Sequence, residues 1–141
     1  MNTGNSHALM IERPIVVRTY DIDFANIVHN IVYLRWLEDL RSEILVDVLP
    51  IDEILATGVS PVLTRTEINY LWPVRIGDPV IGRIWVADLS RTRWTLAAEI
   101  SIDERVCAAA HQWGYFANVN TLRPVRVPEQ LQTRWRAAAG D

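Results

Sequence analysis

Two aspartates two residues apart, an asparagine and a His-Asn pair stand just before an amphipathic run: Asp21-Ile22-Asp23-Phe24-Ala25-Asn26-Ile27-Val28-His29-Asn30. Such side chains can make an ordinary turn and helix cap, because Asp and Asn accept backbone hydrogen bonds at both places. The same residue types can also do chemistry. A carboxylate can attack a carbonyl carbon, or deprotonate a water that does so. A helix that starts directly after it offers N–H groups with no intrahelical partner, which can meet an oxygen as it turns negative. The spacing alone leaves both uses open.

The elements that must position these residues can be read from periodicity. "PIVVRTY", Pro14 to Tyr20, is β-branched and aromatic and predicts a strand ended by the Asp/Asn stretch. From about Asn30 the period changes. Tyr33, Leu37, Leu40, Ile44 and Val48 fall on one helical face, with Arg35, Glu38, Asp39, Ser42 and Glu43 mostly off it, and Pro50 should stop this helix. "IDEILATG" reads as a short second helix closed by Gly58. The pattern then becomes β: "SPVLTRTEINYLWPV", the turn "RIGDP", "VIGRIWVADL", the turn "SRT", "RWTLAAEISI", the turn "DER" and "VCAAAHQWGYFANV". Tight turns between these strands imply antiparallel pairing. A short polar helix that Pro128 can begin ends the chain. A long curled antiparallel sheet needs one face covered, and one long helix is available to cover it. The fold class is therefore α+β.

With 141 residues, about half of them apolar, the chain suits a single domain with a sizeable core. A net charge of −3 argues against a general nucleic-acid binder. The N-terminal "MNTGNSHALMIERP" lacks a basic start followed by an apolar core, so it is read as a loosely ordered tail and not a secretory signal. No apolar run is long enough for a membrane span. Cys107 is the single cysteine, and a reducing cytoplasm is the expected location. Core packing is the default for each of the six tryptophans. His111 is expected to be a satisfied sheet or core histidine, Cys107 a small packed residue, and Glu38 and Glu43 solvated helix charges.

The element order and the opening motif together resemble the hotdog-fold thioesterases, most closely the 4-hydroxybenzoyl-CoA thioesterase-like group. That group's D-x-D-x-x-G-x-V signature stands here as Asp21 to Val28, followed by Tyr33, Trp36 and Arg41, and the closing "RPVRVPEQL" extends the likeness over most of the chain. The resemblance implies a hotdog fold over residues 14–141, a curled sheet of about five strands wrapped around one long central helix, after a flexible tail at 1–13. It implies an acyl-CoA thioesterase in which Asp23 is nucleophile or general base and backbone N–H groups at Asn30 and its neighbours hold the oxyanion. Asp21 is expected to accept hydrogen bonds within the turn. Asn30 could also cap the helix with its side chain. His29 stands one place before the position where some relatives carry a histidine, and could orient substrate or act as an acid.

Asn26 occupies the position of the signature glycine, which the resemblance implies borders the substrate. Asn is the best substitute for glycine where φ is positive. Tyr33, Trp36 and Trp72 are candidates for an acyl chamber, and Arg91 and Arg93 in "SRTR" for coenzyme A phosphates. No metal or redox cofactor is implied. Unpaired sheet edges lead to an expected homo-oligomer, a dimer or a tetramer of dimers, with sites at the interface. Two other readings compete: release of an acyl or polyketide chain from an acyl-carrier protein, and a non-catalytic hotdog module that binds acyl ligands.

Overall fold

The computed structural model describes residues 7–48 and 51–140. Pro50, the expected stop of the long helix, lies outside the described residues. In chain order the elements are β1 (Ile11–Ile15), a 3-10 turn (Thr19–Asp21), α1 (Asn30–Asp47), α2 (Ile51–Ala56), β2 (Val59–Tyr70), β3 (Val80–Leu89), β4 (Trp94–Ile102), β5 (Arg105–Asn118), β6 (Pro124–Val125) and α3 (Glu129–Ala138). The sheet is antiparallel with strand order β1-β3-β4-β5-β2, and the two-residue β6 pairs with the end of β5. This is the α+β hotdog arrangement, with α1 packed on one face of the sheet.

The period-3.6 face of α1 is the centre of the core. Val32, Tyr33, Trp36, Leu37, Leu40 and Ile44 are all buried, and burial of side chains this size contributes roughly 1.5–3 kcal/mol each. The sheet answers with every second residue: Val80, Ile84 and Val86 of β3, Leu96, Ala98 and Ile100 of β4, and Ala108, Ala110 and Phe116 of β5. Small residues set the close approach. A Cβ on Gly82 would lie 2.9 Å from a Leu40 methyl, so its absence is what lets α1 sit on β3. Gly58 closes α2 as expected, with φ at 82°.

Several expectations need correcting. The first strand does not run over Pro14 to Tyr20; it is Ile11–Ile15, in register with Val80 to Ile84 of β3. The residues expected to be loose tail therefore reach into the sheet, and before them the His7 ring stacks on Trp85 at 3.7 Å. After Ile15 the chain leaves the sheet, Val17 turning inward while Val16 is exposed. His111 lies in the sheet, the first of its two expected places, and not in the core. It is exposed on the outer face of β5, stacked with Trp113, over which the Arg65 guanidinium also lies. Core packing fails for Trp72, which is half exposed, and for Trp85 and Trp113 on the outer face. Glu38 and Glu43 are solvated helix charges, as expected, and each also makes an ion pair, Glu43 with Arg13 and Glu38 with Arg41. Cys107 is buried, as expected, and burial raises its thiol pKa.

Candidate active site

The Asp21–Asn30 segment is a tight turn built around Asp23. The Asp23 Oδ1 accepts the N–H of Ala25 at 2.9 Å and that of Ile27 at 3.1 Å. Its own N–H donates to Ile27 O, and the Asn26 N–H donates back to Asp23 O. Among the described residues Oδ2 has no partner. The Ile27 N–H is the largest cause holding this carboxyl below its ordinary value, aided by the Ala25 N–H and the charge of His29 and opposed by desolvation. Asp23 is thus held ionised, with one oxygen committed to the turn and the other left over. Asp21 plays a different part. It is buried, and its Oδ2 accepts the Arg18 N–H at 2.8 Å while its carbonyl accepts the His29 N–H at 3.0 Å. That is the turn role expected of it.

Asn26 has φ at 58°, the left-handed conformation that its place at a glycine position requires. Its side chain does more than tolerate this. The Oδ1 accepts the Ile76 N–H at 3.1 Å, fastening the turn to the β2–β3 connection. A second bond nearby, from the Val28 N–H to Val74 O at 2.9 Å, ties the two segments again.

His29 is the N-cap of α1, in an extended conformation and with no side-chain capping bond. Asn30 is the first helical residue, so the side-chain cap considered for it is not made. No acidic residue lies in the first turn. Among the described residues the N–H groups of Asn30 and Ile31 have no acceptor, and they carry the partial positive charge of the helix start. The Asn30 carbonyl accepts the Tyr70 hydroxyl at 3.2 Å, and the Tyr70 ring meets Tyr33 edge-on at 5.2 Å.

Asp23, Asn26, His29 and Asn30 are therefore brought together. Tyr33 abuts the group through Tyr70 but is itself buried, and burial pushes its phenol up to about 12. Trp36 is buried beside Tyr33, on the flank of α1 that also presents Arg35 and Asp39 towards β1. Arg91 and Arg93 are exposed in the β3–β4 turn. Within one chain they lie far from Asp23. Trp94 pairs with Gly114, which pairs with Leu63, whereas it is Tyr70 that touches Asn30. Seven residues of extended strand separate Leu63 from Tyr70, roughly 20 Å. Tyr70, Val74 and Ile76 were not singled out from the sequence. Trp72 sits on the same connection, with the Arg105 guanidinium 4.3 Å from its ring.

The family model described as the thioesterase-like superfamily matches residues 17–135. The chain belongs to that superfamily. It is 25% identical over 127 residues to the chloroplastic acyl-acyl carrier protein thioesterase ATL3 of Arabidopsis thaliana, covering 84% of this chain and 64% of that protein. The chain thus spans less than two thirds of that relative's length. Among solved structures it is similar to YbaW, a probable thioesterase from Escherichia coli, with a TM-score of 0.82 and 21% identity over 92% of this chain and 98% of that one. It is also similar to a thioesterase complexed with coenzyme A and Zn from Thermus thermophilus, with a TM-score of 0.78 and 24% identity over 96% of this chain and 97% of that one. These likenesses establish the hotdog fold.

In this member of the superfamily the turn around Asp23 is bordered by exposed apolar residues: Phe24, Ile31, Leu34, Leu71 and Ile76. No group of three His, Cys, Asp or Glu among the described residues could hold a metal ion. No described helix is long and apolar enough to cross a membrane.

Proposed function

We propose that the chain hydrolyses an acyl-CoA to the free acid and coenzyme A. The observation that carries this reading is the pairing of a half-committed carboxylate with uncapped helix N–H groups. The thioester carbonyl oxygen sits against the Asn30 and Ile31 N–H groups. Oδ2 of Asp23 attacks the carbonyl carbon or takes a proton from the water that does. The oxyanion that forms is stabilised by donors at the helix start, and its collapse expels the thiolate. Where water attacked, this leaves the free acid; where Asp23 attacked, it leaves an acyl–Asp23 anhydride that a water then cleaves to the free acid and the restored carboxylate. His29, exposed at the N-cap, is placed to protonate that leaving group.

The site is completed by a second copy of the chain. The long β2 lies at the sheet edge with most of its outer half exposed, and an unpaired edge invites pairing. Antiparallel β2–β2 pairing reverses the partner's strands. The partner's β3–β4 turn then lies at the end of the sheet where this chain holds Asp23. That supplies Arg91 and Arg93 to coenzyme A phosphates, which a single chain does not do. The buried Cys107 thiol suits a reducing cytoplasm.

Likeness to a carrier-protein thioesterase favours a second reading, in which the same arginines face an acidic carrier. The deciding experiment is Asp23→Asn, which keeps an oxygen for the Ala25 and Ile27 N–H groups and so keeps the turn. Turnover of acyl-CoA should fall roughly 10³-fold, about 4 kcal/mol of barrier. Near-normal turnover in the folded variant would remove the mechanism.

A further inference from the structure

Midway along α1, four polar side chains form a bar across otherwise apolar space. Glu38 pairs with one nitrogen of the Arg41 guanidinium. Another nitrogen donates to Gln112 Oε1 at 3.4 Å, and Gln112 Nε2 donates to Thr66 Oγ1 at 3.1 Å. The bar therefore runs from α1 across β5 to β2. Gln112 is 4% exposed and the Arg41 side chain 16%.

Beyond the bar lies a cavity of about 170 Å³ walled by apolar side chains, among them Ile44, Leu45, Leu63, Leu96 and Phe116. Glu38 and Arg41 are the charged groups on that wall among the described residues, and of its α1 residues they are the two nearest Asn30. On the other side, toward the helix start, Ile31 and Leu34 of α1 and Tyr70 at the end of β2 are exposed, the Tyr70 hydroxyl reaching the Asn30 carbonyl. A chain laid from Asn30 along α1 past these side chains meets Arg41 before it meets the cavity. At 1.5 Å per helical residue that is roughly 16 Å of travel. An alkyl chain pushed past this point would strip the guanidinium and Gln112 of partners without replacing them, which is unfavourable.

We propose that the Glu38–Arg41–Gln112–Thr66 bar is the floor of the acyl site and selects acyl groups short enough to stop at Arg41. This rests on the thioester-hydrolase reading above. The cavity behind is unused space that the bar keeps from longer chains.

The test is the double variant Arg41→Leu/Gln112→Leu, which replaces both buried partners together and so strands neither. Parent and variant are compared on a homologous series of straight-chain acyl-CoAs for hydrolysis. Binding of the matching non-hydrolysable acyl-CoA thioethers is followed by calorimetry. In the parent, affinity and kcat/KM should stop rising at one chain length. In the variant they should keep rising, by roughly fourfold for each further methylene that enters the cavity. Glu38→Ala, a change on the exposed side of the bar, should move the cut-off the same way by a smaller step, and it serves if the double variant fails to fold. An unmoved cut-off in the folded variants would overturn the proposal, as would a parent with no cut-off. If neither protein hydrolyses any thioester but the binding cut-off still moves, the hydrolase reading fails and the floor stands.

Discussion

Substitutions at Asn26 separate two jobs that one side chain performs. Asn26→Gly keeps the left-handed backbone available but removes the acceptor for the Ile76 N–H. A neutral hydrogen bond of this kind contributes about 0.5–1.5 kcal/mol net. Ile76 is partly exposed, so water can reach the freed N–H, and about 1 kcal/mol is the expected loss. Asn26→Ala loses the same bond and, unlike glycine, keeps a Cβ at a φ of 58° without the side-chain hydrogen bonding by which Asn tolerates it, about 1–2 kcal/mol of strain relative to glycine. Alanine's stiffer unfolded chain returns about 0.4–1 kcal/mol. The alanine variant should therefore be about 1 kcal/mol less stable than the glycine variant, read from urea denaturation midpoints at equal slope. Alanine should also lower kcat more than glycine does, because the strain is relieved by shifting the turn that carries Asp23. An alanine variant as stable as the glycine one would refute the reasoning, since the turn would then not need its left-handed residue.

Because the Ile27 and Ala25 N–H groups hold Asp23 below 3.8, it stays charged throughout the neutral range, and kcat/KM should show no acid limb above that pH. The same depression makes the folded state more stable above the unfolded carboxyl value. That contribution should fade as pH falls through the folded value, and Asp23→Asn should flatten this part of the stability–pH curve. If Arg91 and Arg93 serve the partner's Asp23, mixing Asp23→Asn chains with Arg91→Ala/Arg93→Ala chains should restore turnover at low acyl-CoA that neither variant shows alone; no restoration would mean that both halves of the site come from one chain.

The sequence carried the layout well where a single period governed a long segment. α1 announced itself through Tyr33, Leu37, Leu40 and Ile44, and the β3–β5 meander through its turns. It misled where one residue's fate depended on distant register. Ile15-Val16-Val17 has strand chemistry, but β1 pairs with β3 only as far as Ile15, and the chain must then leave the sheet to reach Asp21. For His111 the outcome turned on which face each β5 residue takes. The shift between Ile100 and Ser101 leaves Cys107 without a partner on β4, so the buried Cys107 and the exposed His111 do not share a face. Asp23, Asn26 and Asn30 were legible because one local turn contains them all. The Asn26–Ile76 bond and the Arg41–Gln112 contact join residues 50 and 71 apart in sequence, and no local pattern could announce either.

The bare start of α1 has one more consequence. A helix that begins at His29 with no side-chain cap and no acid in its first turn gives up about 1 kcal/mol of stability that a Ser or Asp cap would supply. Whatever anion comes to rest there recovers it. On the proposed mechanism the free acid is such an anion, its carboxylate meeting the N–H groups assigned to the oxyanion. Added product acid should then both inhibit turnover and raise the melting temperature, and a product that does neither would count against that assignment.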